Sequence, residues 1–171
     1  MAPLDLLHTR IESPLGSLLI TSDGEALTSV RFEQHAHMPP LSAGSRRDDR
    51  AAPLAEATRQ LAAYFAGELR AFALPLAPRG SEFQGKVWEA LGEIPFGKTS
   101  TYGALARRLG APNHSRAVGH ANARNPLAIL APCHRVVGAN GALTGYAGGV
   151  WRKHWLLEHE AGLQPQPPSW A

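Results

Sequence analysis

The chain's only cysteine, Cys133, is followed directly by His134 and Arg135. The nucleophilic form of cysteine is the thiolate, and a free thiol has a pKa of about 8.5. A thiol that reacts quickly at neutral pH therefore needs a base or a positive charge beside it. His134 could supply the base, and Arg135 adds positive potential. Adjacent side chains on an extended segment point to opposite faces, so neighbours in sequence do not automatically meet. A lone cysteine is more often an inert buried residue, and Cys-His taken alone favours that plain reading. A single cysteine also excludes an intrachain disulfide and a zinc site built on several thiolates. It fits a reducing, intracellular setting.

The charge is unevenly spread. Residues 1–93 carry 9 Lys/Arg and 12 Asp/Glu, while residues 94–157 carry 8 Lys/Arg and no acid at all. The reactive segment thus lies in a stretch of +8, which suits a polyanionic partner such as nucleic acid better than a merely solubilising face. The 171 residues suffice for one domain or two small ones. The N-terminus has no basic leader and no stretch approaches a membrane span, so a cytoplasmic protein without a membrane partner is expected.

The elements that must position these residues follow from local pattern. Residues 9–32 read as strands, with a turn at Pro14-Leu15-Gly16 and a hairpin signal at Asp23-Gly24. Residues 35–52 lose apolar pattern and read as a linker or mobile loop. His35 and His37 form a His-x-His within it, a pattern that usually carries no metal. Leu54, Thr58, Leu61 and Phe65 have helical spacing, ended by Gly67. Residues 71–80 read as an extended connector. A domain boundary is expected near residue 80, giving residues 1–80 and 81–164, then a disordered Pro-rich tail over 165–171. Ser81-x-x-Gln84 matches a capping box before a helix that Pro95 stops. The fold class is α/β: an N-terminal sheet-plus-helix domain, then a mainly helical one.

Thr99 to Thr101 can cap a helix from about Tyr102 to Leu109, stopped by Gly110. Ser115 can cap a second, reaching Asn125 before Pro126. The pair forms a helix-turn-helix pattern. The second helix is built of small residues, including Ala117 and Ala121, and carries Arg116 and Arg124. It could approach a nucleic-acid groove, or pack tightly against a neighbour. On this segment alone the two readings weigh equally.

The wider constellation decides between them. Ile94-Pro95-Phe96-Gly97-Lys98-Thr99-Ser100-Thr101-Tyr102-Gly103 is followed by Arg116-Ala117-Val118-Gly119 and Asn125-Pro126. Then come Pro132-Cys133-His134-Arg135-Val136-Val137-Gly138, Gly145-Tyr146-Ala147-Gly148-Gly149 and Lys153-x-Trp155-Leu156-Leu157-x-His159-Glu160. This resembles the O6-alkylguanine-DNA alkyltransferases of the stand-alone bacterial type. The match is dense over about 83–162 and looser over 9–75.

The resemblance implies a single-turnover transfer of an alkyl group from O6-alkylguanine in double-stranded DNA to Cys133, with O4-alkylthymine left open as a second substrate. His134 would act as general base through a water, oriented by Glu160, whose plain reading is an exposed helix-end acid. The second helix would enter the minor groove, with Arg116 filling the stack vacated by a flipped guanine. Arg124 and Arg135 would add DNA contacts, and Ala117 and Ala121 would permit close approach. Tyr102 would assist flipping and hydrogen-bond the departing base. Asn125 would brace the link to the reactive segment. Val136, Tyr146, Ala147 and Gly148 would line the base pocket.

The family implies no cofactor and a monomer in solution, with cooperativity on DNA left open. Ala131 stands where the family usually has a larger aliphatic, and Ala147 where some relatives have a hydroxyl. Some relatives bind zinc through N-terminal cysteines that this chain lacks. The rival readings are a thiol hydrolase, for which no separate oxyanion motif is evident, and a non-catalytic sensor of alkylated bases, whose known examples lack this cysteine. A transcription regulator would need a sensor or dimer module that is not evident.

Overall fold

The computed structural model describes residues 6–34 and 40–170, so His35 and His37 lie outside the described residues. The chain divides into two compact units, Met1–Pro78 and Arg79–Ala171.

The first unit is built on a four-stranded sheet of order β3-β2-β1-β4. β1 (Leu7–Ile11) pairs antiparallel with β2 (Leu18–Ser22), which pairs antiparallel with β3 (Leu27–Phe32). The β2–β3 hairpin closes at Asp23, whose carboxylate accepts from the amides of Glu25 and Ala26 at 2.9 and 2.8 Å. Gly24 beside it takes φ +100°, a conformation that favours glycine. Every residue of β2 is buried. Its polar Thr21 is satisfied by the hydroxyls of Thr28 and Ser29, each at 2.6 Å. Helix α1 (Ala52–Phe65) presents Leu54, Ala57, Leu61 and Tyr64 to the core, at the 3–4 residue spacing expected of one helix face.

One connecting segment differs from expectation, and the other is held as an extended connector. Within the stretch read as a mobile loop, β4 (Arg46–Arg47) pairs parallel with β1. Asp49 accepts from Thr9 at 2.7 Å and pairs with Arg47, so polar residues hold this segment where apolar pattern could not reveal it. The 71–80 connector docks on the opposite sheet edge. Leu27 donates to Pro75 at 2.8 Å, and Ala77 donates to Leu27 at 2.8 Å. An edge strand's free amides and carbonyls recruit such a neighbour.

The second unit is mainly helical. α2 (Glu82–Gly92) begins with the full capping box, Ser81 and Gln84 each bonding the other's backbone amide. A two-residue ladder joins β5 (Ser100–Thr101) to β6 (Val136–Val137) in parallel. Thr101 then caps α3 (Tyr102–Arg108) by accepting from the Ala104 amide at 3.1 Å. Gly110, at φ +71°, ends the turn after α3. Helix α4 (Ser115–Ala123) starts differently from expectation. His114 occupies the cap position, with no side-chain cap bond, and Ser115 is already helical. A 3₁₀ turn (Cys133–Arg135) precedes β6, and α5 (Val150–Glu160) follows. The tail read as disordered contains Trp170, whose ring meets Trp151 edge-on with centroids 6.0 Å apart. Among the described residues no helix is long and apolar enough to cross a membrane.

Candidate alkyl-acceptor site

Cys133, His134 and Arg135 are consecutive in the 3₁₀ turn, and all three are buried. The turn removes the opposition of neighbouring side chains that an extended strand would impose. His134 Nε2 lies 2.8 Å from Glu160 Oε1 at the end of α5. Arg135 grips the same carboxylate with Nε at 2.9 Å and Nη2 at 2.8 Å, and its Nη1 donates to the Ile94 carbonyl at 2.6 Å. The Gly97 amide adds a bond to Glu160 at 3.3 Å, and Gly97 itself has φ +76°.

These contacts settle protonation. Burial alone would raise the Glu160 pKa, but hydrogen bonds from His134 and Arg135 hold the carboxyl far below the ordinary range. Glu160 is therefore an anion and only accepts. Burial lowers the His134 pKa more than Glu160 raises it, so the imidazole is neutral at pH 7. Its one proton then sits on Nε2 facing Glu160, and Nδ1 carries a lone pair. Nδ1 is buried and has no partner among the described residues. Burial pushes the Cys133 thiol up, only partly offset by the Asn125 side chain and the Lys153 charge. The resting group is a thiol awaiting a base.

Asn125 binds both ends of the loop leading to Cys133. Its Oδ1 accepts from Leu127 at 3.0 Å and its Nδ2 donates to Ala131 at 2.7 Å. Between them Ile129 is buried at φ +70°, a left-handed conformation costly for a β-branched residue. Tyr102, at the start of α3, donates to the Thr144 carbonyl at 3.1 Å. Val136 is fully buried, and its carbonyl accepts from Lys153. Tyr146 is half-buried, Ala147 exposed and Gly148 buried, with the Gly148 carbonyl taken by Arg152 at 2.5 Å.

On α4 the structure separates residues that sequence grouped together. Arg116 and Arg124 are exposed and Ala117 is half-exposed. Ala121 is 3% exposed, and its carbonyl accepts from the Trp88 indole at 2.8 Å. The expectation that Ala121 faces a groove is therefore corrected: that face packs on α2. The outward depression is lined by Tyr102, Ser115, Arg116, Gly119, His120 and Ala123. Gly119, His120 and Ala123 were missed, although i+3, i+4 and i+7 spacing from Arg116 would have found them. Arg135 needs a second correction. Its guanidinium is consumed by Glu160 and Ile94 and cannot reach DNA. Lys153, read only as part of a motif, is fully buried, with Nζ on the Val136 carbonyl. Among the described residues no cluster of His, Cys, Asp and Glu could hold a metal.

One unit thus carries a buried thiol, a neutral imidazole next to it in sequence with an unpartnered Nδ1, and a helix flanked by the exposed Arg116 and Arg124. Residues 82–162 match the family profile "6-O-methylguanine DNA methyltransferase, DNA binding domain", and residues 6–78 match that of the same family's "ribonuclease-like domain". The chain belongs to the 6-O-methylguanine DNA methyltransferase family. A methylated-DNA–protein-cysteine methyltransferase of Methanosarcina acetivorans is 51% identical over 158 residues, covering 91% of this chain and 98% of that one. A Mycobacterium leprae protein of the same name is 48% identical, covering 91% and 93%. The crystal structure of Mycobacterium tuberculosis OGT in complex with DNA is 45% identical and superposes with a TM-score of 0.84, covering 91% and 93%.

Proposed function

We propose that this protein repairs DNA by taking an alkyl group from O6 of guanine onto Cys133. The observation that carries the mechanism is the locked His134–Glu160–Arg135 cluster, which leaves Nδ1 of His134, the residue next to Cys133 in the chain, without a hydrogen-bond partner among the described residues.

The thiol proton passes to His134 Nδ1 through an intervening water. Glu160 stabilises the imidazolium that forms, as an orienting carboxylate does in a catalytic triad. The Cys133 sulfur forms an S–C bond to the alkyl carbon while the C–O6 bond breaks, and its electron pair goes to the guanine. The leaving guanine takes up one proton, which balances the one the thiol gave to His134. The product thioether has no internal route back, so each molecule acts once. No cofactor enters the balance.

DNA is engaged through α4 from the minor groove, by a monomer. Arg116 fills the stack after the alkylated base rotates out, and Arg124 contacts the backbone. Small residues at Ala117, Gly119 and Ala123 allow close approach. Tyr102 turns its hydroxyl from Thr144 to the flipped base, where a phenol offsets charge on the leaving purine. Val136, Tyr146, Ala147 and Gly148 surround that base. Residues 81–164 carry both binding and chemistry.

The test is intact mass after mixing with duplex DNA containing O6-methylguanine. One added methyl group, localised to Cys133 and absent in Cys133→Ser, is expected. Tight binding without a mass change would indicate a sensor instead, and the absence of both binding and a mass change would overturn the proposal altogether.

A further inference from the structure

Lys153 is completely buried, yet the relay makes no use of it. Its Nζ donates to the carbonyls of Val136 at 2.5 Å, Gly145 at 3.3 Å and Thr144 at 3.5 Å. Among the described residues no carboxylate pairs with it. A buried ammonium held only by neutral carbonyls is costly, and buried charges are normally paired with an opposite charge.

The candidates for that anion can be worked through. Glu160 is already neutralised by Arg135. Burial raises the Tyr146 phenol well above its ordinary value, so it stays neutral, with Arg152 the cation nearest it in effect. His134 can only become positive. That leaves the Cys133 thiol, three residues before the carbonyl that Lys153 grips most closely. Burial pushes the Lys153 ammonium down and the Cys133 thiol up, and each charge partly offsets that shift in the other.

We propose that Lys153 is a positioning residue that supplies the counter-charge for the Cys133 thiolate while tying the Thr144–Gly145 segment to β6. It keeps its own proton throughout. His134 takes the thiol proton, and Lys153 stabilises the sulfur anion until its electron pair forms the new S–C bond. The proposal rests on Cys133 being the acceptor, but its test needs neither guanine nor DNA.

The experiment is the pH dependence of Cys133 alkylation by iodoacetamide, followed by intact mass, in Lys153→Met, Lys153→Gln and Lys153→Arg. The Gln variant keeps a donor for the carbonyls but removes the charge. Both uncharged variants should react about tenfold more slowly at pH 7.5, with the alkaline limb moved up by about one unit. Lys153→Arg should bring the limb back toward wild type. A pH-independent loss, or a limb that does not move, would assign Lys153 to packing alone and overturn the proposal. Should the uncharged variants not fold, the wild-type protein decides, through the pH titration of the Lys153 side-chain carbon signal by NMR. An ammonium that persists until Cys133 ionises supports the counter-charge, and a neutral Lys153 at pH 7.5 overturns it. Because iodoacetamide reads only the thiol, failure here leaves methyl transfer from DNA intact, and the reverse also holds.

Discussion

Arg135 donates Nε and Nη2 to the two oxygens of Glu160, at 2.9 and 2.8 Å, with both side chains almost wholly shielded from water. This fork explains how Glu160 stays ionised in an apolar setting and still serves His134. Cutting one partner from such a buried pair leaves an uncompensated charge, at a cost of about 3–5 kcal/mol. Arg135→Met should lower the denaturation midpoint accordingly. Its salt dependence of DNA binding should match wild type, because a phosphate contact would change the slope by about one and this guanidinium makes none.

Arg116 points away from the protein, and its loss should act on the duplex rather than on the chemistry. Arg116→Ala is expected to slow repair of O6-methylguanine in duplex DNA about tenfold or more, since filling a vacated stack compensates an unstacking cost of a few kcal/mol. Reaction with free O6-alkylguanine base should be nearly unchanged. Equal losses in both assays would remove Arg116 from flipping.

The pH profile follows from His134. Burial depresses its pKa below the ordinary 6.5, so the neutral base form persists as pH falls through 6.5. The rate of alkyl transfer should hold near its plateau there and fall only at lower pH. Glu160 raises the His134 pKa, so Glu160→Gln should move the acid limb lower still while reducing the maximum rate, because the imidazolium loses its anion. Single-turnover rates across pH check both signs.

Glu160 also ties stability to acid. Its folded pKa lies far below the ordinary 4.5, so its contribution is complete above about pH 4.5 and is lost as pH falls toward the folded value. The wild-type protein should therefore lose stability more steeply below pH 4.5 than Glu160→Gln. Urea midpoints measured between pH 3 and 6 would show parallel slopes if this assignment were wrong.

Asn125 holds the loop in which Ile129 is left-handed. Asn125→Ala leaves the Leu127 amide and the Ala131 carbonyl without that partner, costing about 1–3 kcal/mol. It also removes a side chain that favours the thiolate. Lower thermal stability together with slower Cys133 alkylation is expected, whereas loss of stability alone would confine Asn125 to bracing.

Local signals were legible where the physics is local. The capping box at Ser81 and Gln84, the hairpin at Asp23-Gly24 and the Thr101 cap each involve partners within a few residues, so the sequence alone determined them. The ordered run from Phe83 to Gly162 likewise sufficed to point to the family. Tertiary structure decided which face of α4 turns inward. A helix of Ala, Gly, Ser and Asn has no large apolar side chain to mark its buried stripe, and the Trp88 bond to Ala121 arrives from 33 residues away. It also decided that Arg135 serves Glu160, 25 residues on, and that Lys153 is sealed from water against the Val136 carbonyl. Charge type is written in sequence, but whether a charge meets water, DNA or a buried partner depends on the packing of segments far apart along the chain.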